Sequence, residues 1–187
     1  MGKPATTDTR EIIVEILLDL EKGQDFSHKL IKAVLDKYDY LDPRDKAFIK
    51  RVTEGTIERQ LELDYYLNRF SSVPVRKMKP LIRCLLRMST YQILYMDAVP
   101  DSAVCNEACK LAAKRGFRTL KGFVNAVLRN ISRSKDKMPL PDPTDPVKYF
   151  SVKYSMPEWI VNLWLPVYGT EAVSYTHLRA HETGAYL

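Results

Sequence analysis

The chain has 187 residues, 45% hydrophobic and 28% charged, with a net charge of +6. Those proportions describe a globular domain with a small appendage, not a disordered or fibrous chain. No apolar run nears the roughly 20 residues that span a bilayer, and the opening MGKPATTDTREI lacks the apolar centre of a secretory signal.

Apolar spacing predicts helices almost throughout. Asp8 and Glu11 stand three apart as a capping box before Ile12, Ile13, Ile16, Leu17 and Leu20, and Gly23 marks the stop. A second helix follows Ser27 as N-cap and turns Leu30, Ile31, Val34, Leu35 and Tyr38 inward. Asp42 as N-cap and Pro43 in the first position open a third. Its pattern runs unbroken to about Phe70, and Gly55 within it marks a close helix contact or a bend. After SSVPV, Pro80 begins a helix with Leu81, Leu85, Met88, Ile93 and Leu94 in the core. Asp101 or Ser102 caps the next, which stops at Gly116, and a last bundle helix spans about 119–133. No segment alternates as a strand does. The fold class is therefore all-α, a helical bundle over residues 1–138.

Residues 139–172 differ in kind. Pro139, Pro141, Pro143 and Pro146 predict a stiff, exposed connector. Two short helices follow, one opening at Asp145 and Pro146, the other carrying Trp159 and Trp164. Alone they make no core, so both tryptophans are expected to pack on something further along. Residues 173–187 share no periodicity with the rest, and VSYTHLRAHET is what a transposase sequencing adapter encodes in frame. That tail is read as foreign and the natural gene as continuing. Setting aside His177 and His181 leaves only His28, which argues against histidine catalysis and zinc binding. The three cysteines, an odd number, read as reduced thiols in a cytoplasmic protein. Cys84, Cys105 and Cys109 are expected to be core residues, not metal ligands.

Charge is unevenly spread. Residues 1–45 hold seven Lys or Arg against ten Asp or Glu, whereas 107–137 hold nine cations against Glu107 and Asp136. Between Ser71 and Met96 stand Arg76, Lys77, Lys79, Arg83 and Arg87 with no acid. Such asymmetry orients a molecule on a phosphate backbone. At 100° per residue, Arg118, Lys121, Asn125, Arg129 and Arg133 form one stripe. Leu120, Phe123, Val124, Val127, Leu128 and Ile131 fall opposite. A stripe of this kind faces either solvent or a polyanion.

Two phrases, SAVCNEACKLAAKRG (102–116) and KGFVNAVLRNISR (121–133), resemble the paired helical signatures of NusB-like RNA-binding domains. DPRDKAFIKRVTEGTIERQLELDYYL and KPLIRCLLRMSTYQILYM extend the resemblance upstream, and it covers residues 7–133. YFSVKYSMPEWIVNLWLPVYGTEA (149–172) resembles the segment that joins this domain to the catalytic part of the RsmB (Sun) family, bacterial 16S ribosomal RNA cytosine-C5 methyltransferases. The resemblance implies an RNA-binding N-terminal module with 16S ribosomal RNA as partner and a methyltransferase domain to follow in cis. That domain would bind S-adenosylmethionine and supply two catalytic cysteines. The present residues show neither its glycine-rich loop nor its proline–cysteine motif, so no catalytic residue and no cofactor is assigned here, and the fragment is expected to be inactive.

The expected RNA contacts are Lys114, Arg115, Arg118, Lys121, Asn125, Arg129 and Arg133, with Arg76, Lys77 and Lys79 extending the patch. Asn106 and Glu107 are expected to bond between helices and set their register, and Asn125 to do this or reach RNA. Two alternatives remain: a NusB-type transcription antitermination factor, and a helical module that binds protein.

Overall fold

A computed structural model describes residues 8–23 and 27–170. The helices are α1 (Thr9–Glu21), α2 (Ser27–Lys37), α3 (Pro43–Glu58), α4 (Gln60–Phe70), α5 (Pro80–Tyr95), α6 (Asp101–Lys114), α7 (Lys121–Ser134) and α8 (Pro146–Lys153). A further helix, α9, occupies 158–170. Among the described residues there is no strand, and no helix is long and apolar enough to cross a membrane. The tail 173–187 lies outside the described residues.

Local chemistry sets most helix ends where the sequence puts them. Asp8 accepts the Arg10 N–H and Asp42 the Arg44 N–H, with Pro43 in the first turn. Gly23 and Gly116 take positive φ just past α1 and α6, a conformation that glycine adopts without Cβ strain. Two ends differ from expectation. Glu11 does not complete a capping box, because its carboxylate is drawn to Lys114 and Arg115. Asp101 is the first residue of α6, with Pro100 at the cap position, and its side chain instead accepts the Ser132 hydroxyl at 2.6 Å.

Helix α5 forms the centre. It is buried on nearly every side, and α1, α3, α4, α6 and α7 all pack on it. Gly55 is what lets α3 approach: a Cβ there would lie 2.1 Å from Tyr91 Cζ. The chain turns at Arg59, four residues later, splitting the run that the sequence shows as one helix. No Gly or Pro marks that break. Arg59 instead lies over the Tyr95 ring, 4.2 Å from its centroid, and donates to Glu62 at 2.9 Å. Glu62, buried, also accepts hydroxyls from Tyr66 and Tyr95. Those partners come together only in the folded chain.

The segment after the bundle is not merely a spacer. Phe150 and Val161 make a second small core with Tyr149, Met156 and Trp164, and α8 packs on α4. Pro141 is buried, contrary to an exposed connector. Trp164 turns into this cluster, whereas Trp159 stays 68% exposed.

Candidate nucleic-acid interface

Helix α7 separates its two faces as periodicity requires. Val124, Val127, Leu128 and Ile131 are buried, while Lys121, Arg129 and Arg133 are exposed. Arg118 is exposed as well but belongs to a separate 3-10 turn, Arg118–Leu120, so the stripe is not one continuous helix. Among the described residues, none of these four cations has a carboxylate partner. Asn125 is half-buried, and its Oδ1 accepts Arg129 Nε at 3.1 Å. That bond steers the guanidinium and holds it close to α7.

Lys114 and Arg115 are differently placed. Lys114 pairs with Glu11, and Arg115 reaches Glu11 at 3.1 Å and Glu15 as well. Their charge is spent on tying the C-terminal end of α6 to α1. Sequence counting scores them as cations available to a phosphate, but the acids that engage them lie about a hundred residues upstream.

The five cations between Ser71 and Met96 also divide. Arg87 is buried, with Nε and Nη2 each 2.6 Å from an Asp64 oxygen and Nη1 2.6 Å from Glu21. Arg83 chelates Glu21 at 2.5 and 2.7 Å. Burial raises the Glu21 carboxyl, but Arg83 and Arg87 outweigh it and hold the group below its ordinary value. These two arginines build the floor of a half-open cleft of about 1020 Å³. Their place on an otherwise apolar helix, four apart, was the sequence signal for a buried ion-pair network. Arg76, Lys77 and Lys79 remain exposed. Arg76 lines the same cleft, whose walls come from α1, α3, α4, α5 and the Val75–Lys77 turn and from no residue of α7. The structure therefore gives this trio a setting of its own rather than a place on the stripe.

Asn106 and Glu107 do not hold helices together as expected. Asn106 is exposed, and Glu107 pairs with Lys110 one turn along α6. The face of α6 toward α7 is the row Asp101, Cys105 and Cys109: Asp101 takes Ser132, and Cys109 Sγ donates to the Lys121 carbonyl at 3.6 Å. Asn106 sits about 100° round from that row, which excludes it from the contact. Asp101, which the sequence marks as a cap, instead fixes the register through Ser132.

All three cysteines are free, and Cys84 and Cys105 are buried. Burial first, then the Glu21 charge, pushes the Cys84 thiol up to about 12. Burial likewise raises Cys105 and Cys109. None is poised as a thiolate nucleophile. Among the described residues no three His, Cys, Asp or Glu converge as metal ligands.

The NusB family model matches residues 7–133, more than half of the chain. The chain belongs to the NusB family. A probable ribosomal RNA small subunit methyltransferase B of Bacillus subtilis (strain 168) is 38% identical over 167 residues, covering 89% of this chain and 36% of that protein. The chain thus spans about a third of the length of such relatives. The transcription antitermination protein NusB of Acetivibrio thermocellus is 27% identical, over 72% of this chain and 91% of its own length. A chain in the crystal structure of antitermination factors NusB and NusE in complex with dsRNA matches with TM-score 0.61 and 16% identity. It covers 67% of this chain and 94% of that one, which establishes the shared fold. This NusB domain is homologous both to the N-terminal part of ribosomal RNA small subunit methyltransferase B and to NusB itself. Similarity to the methyltransferase extends past the bundle, into α8, which packs on α4.

Proposed function

We propose that this NusB-family chain is the RNA-binding N-terminal part of a 16S ribosomal RNA cytosine-C5 methyltransferase, at work in the cytoplasm. One observation carries the reading: Arg118, Lys121, Arg129 and Arg133 are exposed together, with no carboxylate to neutralise them among the described residues. Cations left unpaired on a rigid helical face bind phosphates through counterion release, and they position RNA rather than read its sequence. Lys114 and Arg115 contribute less, because α1 already holds them.

Methyl transfer would come from S-adenosylmethionine, bound by a domain beyond the joining region, which ends at residue 172. The residues described here do not fit that cofactor. Their positive-φ glycines, Gly23, Gly116 and Gly169, all stand at or near helix ends, and no strand leads into a glycine loop. The division into a bundle (1–138), a joining region (139–172) and a foreign tail (173–187) belongs to the same proposal. A NusB-type antitermination role is the second reading, favoured by the likeness to the A. thermocellus protein. The joining region counts against it, since that likeness covers 72% of this chain whereas the methyltransferase likeness covers 89%.

The test is charge reversal at Arg118, Lys121 and Arg129 together, with affinity for a 16S rRNA fragment measured across salt concentration. Affinity should fall, and the slope of log K against log salt should flatten by roughly 2–3. Unchanged affinity and slope would overturn the RNA reading, and salt-insensitive binding to a protein in its place would favour an interaction module. An open downstream frame with a glycine-rich methyltransferase loop would support the parent enzyme, and a stop codon directly after the present tail would refute it.

A further inference from the structure

The half-open cleft between α1, α3, α4 and α5 is assigned no role by the likenesses above. Its volume, about 1020 Å³, is at the upper end of ligand-sized pockets. Leu17, Leu20, Ile57 and Val75 give it apolar walls. Its floor is electrically satisfied, because Glu21 and Asp64 are saturated by Arg83 and Arg87. At its mouth stands Arg76, exposed and without a carboxylate partner among the described residues, and Lys77 and Lys79 follow it, also exposed and unpaired. Gln60, exposed at the start of α4, also lines the cleft, and its amide makes no side-chain hydrogen bond among the described residues.

We propose that this cleft is a second RNA subsite that takes an unpaired nucleotide, its base against the Leu17–Leu20–Ile57 wall and its phosphates on Arg76, Lys77 and Lys79. The chemistry favours a nucleotide on two counts. A base is a flat, mostly apolar body with hydrogen-bonding edges, which suits apolar walls with one free amide. Its backbone is anionic, which suits a cationic rim over a neutralised floor. A duplex cannot use the site, since its bases are stacked and its phosphates alone would reach the mouth. No residue of α7 lines this cleft, so the α7 cations meet phosphates alone and treat paired and unpaired RNA alike. The proposal rests on the RNA-binding reading above and adds a preference for single strands to it.

The experiment uses the full chain and fluorescence anisotropy with three RNA probes: a ten-nucleotide single strand, a duplex of equal length, and the single strand made abasic at its centre. Gln60→Trp adds bulk at the cleft wall without changing charge. It should weaken single-strand binding about fivefold or more and leave duplex binding within about twofold, on the scale of losing contacts to one base. Arg76→Glu with Lys77→Glu and Lys79→Glu should weaken single-strand binding more than about tenfold and flatten its salt slope. The abasic strand should bind the unaltered protein more weakly than the intact strand. If Gln60→Trp unfolds the protein, Gln60→Ala, which removes the amide at an exposed position, replaces it, with the same single-strand selectivity expected. Equal losses for strand and duplex from the Gln60 variant, no loss at all, or no abasic penalty would overturn the proposal. So would an acidic peptide that competes as well as the single strand. RNA binding that survives these variants but fails on α7 charge reversal would sink only the cleft. An unaltered protein that binds no RNA would sink both readings.

Discussion

Ser155 Oγ accepts the main-chain N–H of Leu61 at 3.0 Å, joining positions 94 residues apart. Leu61 is in the first turn of α4, where donors lack intrahelical partners, and the residue at the cap position, Arg59, makes no side-chain cap bond. Ser155 reaches it by taking φ +51°, just past α8, where Met156 N–H donates to the Ser151 carbonyl at 2.9 Å. A residue of the joining region thus supplies the N-cap of a bundle helix. Ser155→Ala should remove the cap but keep the strained backbone, at a cost of about 1 kcal/mol in urea unfolding. Ser155→Gly should cost less, because glycine relaxes at positive φ. If Gly proves the more damaging of the two, this account of the contact is wrong.

Gly55→Ala places a methyl within 2.1 Å of the Tyr91 ring, where the buried face of α3 meets α5. Overpacking of this kind costs about 1–3 kcal/mol. Pairing it with Tyr91→Leu should recover part of that loss, so the double variant should be more stable than the two single effects summed. Strict additivity in thermal melts would rule out the direct clash.

Glu21 links acid stability to the cleft floor. Its folded-state carboxyl lies below the ordinary 4.5, because Arg83 and Arg87 outweigh burial. A depressed carboxyl contributes stability that is full above the unfolded value and is lost as pH falls through the folded one. Unfolding free energy should therefore drop below about pH 4.5 in the unaltered protein and drop less in Glu21→Gln. Parallel curves for the two proteins over that range would show that the ion pairs contribute no acid sensitivity.

Lys114 and Arg115 are held by Glu11 and Glu15 and so are withheld from RNA. Glu11→Gln with Glu15→Gln should release two cations, raise RNA affinity at low salt and steepen the salt slope by roughly 1–2. Lys114→Gln alone should change affinity little. A large loss from Lys114→Gln would mean that the pair already serves RNA.

Trp159, Leu163 and Val167 recur every four residues on α9 and are 68%, 60% and 69% exposed. A line of apolar residues opposite the buried Val161 makes a helix that is oily on two sides, which favours self-association. Trp159→Ser with Leu163→Ser should lower the apparent mass in concentrated solution, by light scattering, with no change in melting temperature. Identical scattering would acquit the stripe.

Elements governed by neighbouring residues are legible in the sequence. Asp8, Asp42 with Pro43, Pro80, Gly23 and Gly116 stop or start helices where they stand, and the 3.6-residue period of α7 sorts Val124 and Leu128 from Lys121 and Arg129. Caps and periodicity act within about one turn, so the chain states them locally. Tertiary structure alone decided which charges stay available. Lys114 and Arg115 look like their free neighbours in sequence, and Arg83 and Arg87 differ only in their apolar setting, yet each meets a carboxylate brought from a distant helix. The break at Arg59, the cap from Ser155 and the register bond of Asp101 with Ser132 were hidden for the same reason. A hydrogen bond or ion pair depends on separations of a few ångströms in space, and no count along a chain fixes those.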